Sequence, residues 1–218
     1  MPRESKKAKA QRAVAILERL RRAYPGSRLA LDFASPFQLL VALVLAAQCT
    51  DKKVNEVTPP LFRRYPAPAD FAAADLAELE EMVHPTGFYR NKARALQALG
   101  RALVTDHDGT VPDRLDGLVA LPGVGRKTAN AVLGHAFGKN EGIVVDTHVQ
   151  RLAGRLGLTA EKDPVKVEQD LLQLLPRADW TAFSHLLQDL GRAVCQARKP
   201  LCGTCPVAEL CPSAEVVG

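Results

Sequence analysis

Apolar residues recur at helical spacing along most of the chain. Ala13, Ile16, Leu17 and Leu20 fall at i, i+3, i+4 and i+7, one face of a helix that begins near Ala8 and stops at Pro25-Gly26. Ser35-Pro36-Phe37-Gln38 combines a serine N-cap, a proline at the first helical position and a glutamine where a capping box places it. The run that follows, Leu39 to Ala47, has no polar face, so this helix is expected to be central and buried. At nine residues it is far too short to span a membrane. Polar residues resume at Gln48-Cys49-Thr50-Asp51, and a second helix is predicted from Asp51, interrupted at Pro59-Pro60. Pro66, Pro68 and Asp70 mark a turn, after which Asp75 caps a short helix with Glu78 in the box position. Thr86 to Ala93 reads as a turn into a long helix reaching about Val104, with Tyr89 as a core anchor of that turn. Asp113 to Ala120 reads as a short helix, and Asp146, Asp163 and Asp179 are placed as N-caps of later ones. Ile143-Val144-Val145 is the one strand-like run and is too short to build a sheet. The pattern predicts an all-α fold of roughly ten short helices.

Composition adds a partner class. The 218 residues carry a net charge of +5, and residues 1–22 hold eight Lys/Arg against two Glu, which favours a polyanionic partner. Phe88 and Tyr89 stand among Arg90, Lys92 and Arg94, a mixture that suits a nucleic-acid surface. The basic N-terminus lacks an apolar segment behind it, so no secretory signal is read and a cytoplasmic, nucleoid-associated setting is expected.

The most informative stretch is Leu121-Pro122-Gly123-Val124-Gly125-Arg126-Lys127-Thr128-Ala129, followed by Val145-Asp146-Thr147-His148. Pro122 stops the preceding helix, and Gly123 and Gly125 allow a tight turn that opens the next one. Backbone N–H groups beside a helix start form an anion site, which on a nucleic acid would take a phosphate. A nucleotide-binding P-loop is excluded, because Arg126 and Leu121 stand where that pattern requires glycines. Lys127 falls in the first turn of the helix, where the macrodipole disfavours a cation. A local rule broken in this way marks a candidate functional position. Asp146, 19 residues on, caps the next helix, so a lysine and a carboxylate stand at two helix starts and could face one pocket.

Four of the five cysteines crowd into Cys195, Cys202, Cys205 and Cys211, separated by six, two and five residues. Without a secretory signal, such clustering suggests a metal centre before disulfides. The spacing matches neither a zinc ribbon nor a ferredoxin and leaves zinc and iron–sulfur open. Arg198-Lys199-Pro200 lies between the first two cysteines, so a centre there would hold a basic loop in a fixed shape able to grip phosphate. Cys49 stands apart and reads as an inert buried thiol.

Leu121 to Ala129 with Val145 to His148, together with Gln48-Cys49-Thr50-Asp51, Gly87-Phe88-Tyr89-Arg90-Asn91-Lys92-Ala93 and the C-terminal cysteines, resembles the endonuclease III family of helix-hairpin-helix DNA glycosylases, over nearly the whole chain. The resemblance implies two helical lobes: a six-helix barrel over residues 28–140 containing the hairpin, and a cluster lobe from residues 1–27 and 141–218, with the active site in the cleft between them. It implies a bifunctional glycosylase and abasic-site lyase that removes oxidised pyrimidines from duplex DNA as a monomer, with Lys127 and Asp146 catalytic. It also implies a [4Fe–4S] cluster on Cys195, Cys202, Cys205 and Cys211. DNA would be held by Leu121, Gly123, Gly125, Arg126 and Thr128 of the hairpin and by Arg198 and Lys199 of the cysteine loop. Gln48 would fill the gap left by a flipped base, and Phe88 stands where the family often has an aliphatic wedge. Asp51 and His148 fall near the base pocket, although Asp51 also suits a helix start, and His148, like His185, suits a structural histidine. An adenine glycosylase of the same superfamily fits less well, since those enzymes typically lack the hairpin lysine and carry a further C-terminal domain, whereas this chain has Lys127 and ends at Gly218. A thymine-mismatch glycosylase would share the hairpin and the cysteines. A non-catalytic DNA-binding module would use both only to grip phosphate, which requires neither Lys127 nor Asp146.

Overall fold

The computed structural model describes residues 4–214. Among them are eleven α-helices and no strand. The helices are α1 Lys6–Ala23, α2 Pro36–Leu45, α3 Asp51–Arg64, α4 Pro68–Ala72, α5 Leu76–Val83, α6 Tyr89–Asp106, α7 Leu115–Val119, α8 Arg126–Ala136, α9 Thr147–Arg155, α10 Pro164–Leu172 and α11 Trp180–Ala193. No helix among the described residues is long and apolar enough to cross a membrane. The chain divides into two compact units, one running from Ala30 to Lys139 and the other combining the segment up to Leu29 with the segment from Asn140 onward.

The unit from Ala30 to Lys139 is built around α2. Its N-terminus forms as the sequence predicts: Ser35 accepts from Gln38 N–H, and the Gln38 amide oxygen accepts from Ala34 N–H. Phe37, Leu39, Leu40, Val41 and Leu45 are buried on several faces. Phe37 and Tyr65 both pack on Phe71, with ring centroids 5.4 Å apart in each pair. Asp75 caps α5 by accepting from Glu78 N–H.

One expectation fails here. Pro59 and Pro60 do not interrupt α3, which runs through both. Each interior proline costs about 3 kcal/mol. Burying Val54, Val57 and Leu61 contributes about 1.5–3 kcal/mol apiece, enough to hold the helix together. Both prolines lie on the exposed side, where the carbonyls they leave without a helical donor can meet water. The predicted start of α3 holds: Asp51 is its first helical residue, and Thr50 caps it by accepting from Lys53 N–H.

The second unit has its own core. Ala13, Ile16, Leu17 and Leu20, the predicted face of α1, pack with Leu152 of α9, Leu171 of α10 and Phe183, Leu187 and Leu190 of α11. Ile143, Val144 and Val145 are buried but form no strand; Val144 N–H donates to Ser184 Oγ instead of to a neighbouring chain. Asp163 caps α10 through Val165 and Lys166 N–H. Asp179 stands at the start of α11 without capping it, because its carboxylate pairs with Arg21 of α1.

Candidate active site and cysteine centre

The glycine turn lies in the first unit, between α7 and α8. Leu121 and Val124 are buried and joined by a 3.1 Å bond from Val124 N–H to Leu121 C=O, so the turn is pinned from beneath. Gly123 adopts φ +77°, a conformation that disfavours any side chain, and both Gly123 and Gly125 are exposed. Leu121 therefore anchors the turn with its side chain and has only its backbone to offer a phosphate. Arg126 and Lys127 form the exposed first turn of α8, and Thr128 is half-buried behind them. Lys127 stays in solvent because the apolar face of α8 is carried by Ala129, Val132 and Leu133.

Near this turn a groove of about 300 Å³ brings together Gln48, Phe88, Asn91, Lys92, Gly123 and Thr128. Gln48 and Phe88 have φ of 53° and 50°, left-handed conformations that non-glycine residues seldom adopt. Phe88 is 62% exposed, an unusual position for a bare aromatic ring. Tyr89 is half-buried against His84 at 4.5 Å rather than set in the core, and Arg90 covers its ring at 5.4 Å. Cys49 is half-exposed, not buried, because α2 has ended before it.

Lys92 departs furthest from its predicted place. Grouped with the basic residues of a nucleic-acid surface, it is instead 5% exposed, and its Nζ donates to Leu45 C=O and Thr86 C=O at 2.8 Å each. Burial pushes its amine below the usual lysine range, opposed by the neighbouring Cys49 thiol. The signal was present, since Lys92 stands in register with Leu96, Leu99 and Leu103 on the buried face of α6.

In the second unit Asp146 caps α9, accepting from Val149 N–H at 2.8 Å. This engages one carboxylate oxygen, Oδ1, and the side chain as a whole remains half-exposed. His148 lies two residues along, with Arg151 Nη2 at 3.2 Å from its Nδ1. A guanidinium can only donate, so Nδ1 accepts and the ring proton sits on Nε2. Gly191 of α11 makes room for this pair: a Cβ there would come within 2.7 Å of His148 Nδ1. Burial holds His148 below the ordinary histidine range, with Asp146 opposing and Arg151 and Arg192 adding to the effect.

His185 is buried in α11 and lowered mainly by burial, with Arg192 acting the same way and Asp189, Gln188 and Asp146 opposing. The unfolded chain therefore takes up these protons first as pH falls, so stability is fully present above the ordinary histidine value and lost below it. Urea midpoints should fall between pH 7.5 and 5.5, and His185→Gln should flatten that fall. An unchanged slope in the variant would remove His185 from the explanation.

Cys195, Cys202, Cys205 and Cys211 line one cavity of about 60 Å³ in the second unit, walled by Leu152, Leu156, Leu190 and Val207. No group of three His, Cys, Asp or Glu side chains among the described residues is arranged to hold a single metal ion. Four thiol donors on one apolar cavity suit a thiolate-ligated centre of the zinc or iron–sulfur kind. Burial first, and the facing thiolates with it, push the Cys205 and Cys211 thiols up, a tension that a cationic centre would relieve. Arg155 braces the site, donating to Cys195 Sγ at 3.3 Å and to the carbonyls of Gln196 and Ala197 at 2.7 Å each. Arg198 and Lys199 are exposed on the loop between the first two cysteines.

Residues 41–177 match the HhH-GPD superfamily of base excision DNA repair proteins, and residues 195–211 match the iron-sulfur binding domain of endonuclease III. Endonuclease III of Synechocystis sp. is 55% identical over 208 residues, 95% of each chain. Endonuclease III of Escherichia coli is 40% identical over 202 residues, 93% of this chain and 95% of that one. Among solved structures, a trapped covalent intermediate of an endonuclease III with DNA superposes with a TM-score of 0.89 at 41% identity, covering 94% of this chain and 96% of the other. A thermostable thymine-DNA glycosylase shares the fold, with a TM-score of 0.82 at 23% identity over 95% and 99% of the two chains.

Proposed function

Because the chain belongs to the endonuclease III family, we propose that its base-excision activity runs through Lys127 and is directed at oxidised pyrimidines in duplex DNA. It is a bifunctional DNA glycosylase and abasic-site lyase that binds DNA and carries a [4Fe–4S] cluster. The observation that carries the assignment is an exposed lysine in the first turn of the helix behind the glycine turn, in a chain whose relative has been trapped as a covalent DNA complex.

The chemistry follows from the groups present. A base within a duplex is out of reach, so it is flipped out first, and a damaged, weakly stacked base costs least to flip. The Lys127 amine, neutral when it reacts, attacks C1′ of the deoxyribose; the C1′–N bond breaks and the base leaves with its electron pair. Loss of the amine proton and ring opening give an imine between Nζ and C1′. That imine acidifies the C2′ protons; removing one expels the 3′ phosphate and cuts the strand. Asp146 stabilises positive charge on the sugar and takes the amine proton, with its Oδ1 oriented by the Val149 N–H. His148 and Asp51 lie towards the base pocket, and Gln48 and Phe88 occupy the space left by the flipped base. Gly123, Gly125, Arg126 and Thr128, with the backbone of Leu121, hold one stretch of phosphates, and Arg198 and Lys199 another.

Cys195, Cys202, Cys205 and Cys211 would hold the cluster, which supplies structure to the loop bearing Arg198 and Lys199. The working unit is taken to be a monomer, as the resemblance to the family implies. With chromosomal DNA as substrate, its place of action is the cytoplasm, at the nucleoid.

Asp146→Asn separates chemistry from capping. Asparagine caps a helix as well as aspartate, so the melting temperature should be nearly unchanged. Base release and cleavage should drop about 10²–10³-fold. A variant equally active at saturating substrate would assign Asp146 to capping alone.

The overall test is borohydride trapping and base release by wild-type protein on duplexes carrying an oxidised pyrimidine, a mispaired thymine or a mispaired adenine. Covalent capture led by the oxidised pyrimidine is expected. Release led by a mispaired base would replace the substrate assignment, and salt-sensitive binding without capture would leave a DNA-binding module.

A further inference from the structure

We propose that Lys92 is a positioning residue that clamps the Gln48 turn and the Phe88 turn into one rigid wedge. The inference rests on the reading of Gln48 and Phe88 as the residues that enter the duplex when a base is flipped. Three bonds make the clamp. Lys92 Nζ donates to Leu45 C=O, the last residue of α2 and three positions before Gln48. The same Nζ donates to Thr86 C=O, two positions before Phe88. The backbone N–H of Lys92 donates to Phe88 C=O at 3.1 Å. A single side chain thus ties together two turns that are 40 residues apart in the sequence, the separation of Gln48 and Phe88.

Both turn tips need support. Gln48 and Phe88 are two of the three non-glycine residues with positive φ among those described, and such conformations persist only where the surroundings over-determine them. Both tips line the same groove as Lys92. A cation suits its place, since Leu45 C=O lies at the negative end of α2. Its burial also keeps Lys92 from competing for phosphate, in contrast to the exposed Lys127. Separating two stacked base pairs requires both tips to hold their spacing against the duplex. A tip free to move by even 1 Å costs reactivity, as misplacement of that size does elsewhere.

The test is a cycle of variants, read as the rate of borohydride trapping at an abasic site in duplex DNA under single-turnover conditions. Lys92→Met keeps the stem and removes the three N–H donors. In the wild-type background it should slow trapping by about 10- to 100-fold. In a Gln48→Ala/Phe88→Ala background, where no wedge remains to position, the same change should slow it by less than about twofold. General destabilisation would slow both backgrounds alike, so equal losses would overturn the proposal. If Lys92→Met fails to fold, Lys92→Gln, which can donate to one carbonyl, replaces it in the same cycle with the same non-additivity expected. Absence of trapping by the wild type would overturn the functional reading and this inference with it, whereas wild-type trapping with multiplicative losses would overturn this inference alone.

Discussion

Lys127→Ala should abolish borohydride trapping and lower strand cleavage at abasic sites by about 10⁴-fold, leaving only the slow elimination that DNA bound in a prepared site undergoes. The fold should survive. Lys127 is exposed in the first turn of α8, and its removal leaves the buried anchors of the glycine turn, Leu121 and Val124, in place. Alanine is a better helix former, and a cation at a helix N-terminus is unfavourable, so stability should be unchanged or raised by a few tenths of a kcal/mol. Binding to an uncleavable abasic-site analogue should persist, with a salt dependence shallower by about one phosphate contact if the amine also touches the backbone. Trapping that remains at the wild-type rate in the variant would mean another amine is the nucleophile. Loss of binding and trapping together would assign Lys127 to phosphate grip.

Cys205→Ala should yield protein without iron and with the second unit no longer cooperatively folded. Cys195, Cys205 and Cys211 pack against the core formed by Leu20, Leu152, Leu190 and Val207, so their centre is continuous with that core. Structural metal centres in small domains contribute on the order of 10 kcal/mol to folding, as much as the whole stability of many domains. The cysteine segment has little else to hold it: its helices are two single 3₁₀ turns, Cys202–Thr204 and Ala208–Leu210. Hydrogen exchange gives the readout. Amides of α9, α11 and residues 195–211 should lose protection, while those of α2, α3 and α6 should keep it. An iron-free variant with full protection in α11 would show that the apolar core suffices without the cluster.

Sequence reasoning reached furthest where the decisive partner was a near neighbour. Ser35, Asp75, Asp146 and Asp163 were legible as caps because each bonds N–H groups two or three residues ahead. The glycine turn was legible for the same reason, since Gly123 needs its positive φ on local grounds. Where a distant residue intervened, the reading failed. Asp179 has the composition of a cap but commits its carboxylate to Arg21, 158 positions away. Pro59-Pro60 has the composition of a break, yet buried Val57 and Leu61 carry α3 through it.

For the candidate site the same division holds. The cysteine spacing, the lysine at a helix start and the carboxylate at the next are features of the chain as written; they mark candidate residues, and the resemblance to the endonuclease III family supplies the chemistry. That Gln48 and Phe88 share a groove, that Lys92 is buried between their turns, and that Gly191 makes room for His148 depended on helices far apart in sequence coming together. Local bonding is set by residues within a turn of one another and can be read from their order. Burial is set by what packs on the other side, and only the folded chain decides that.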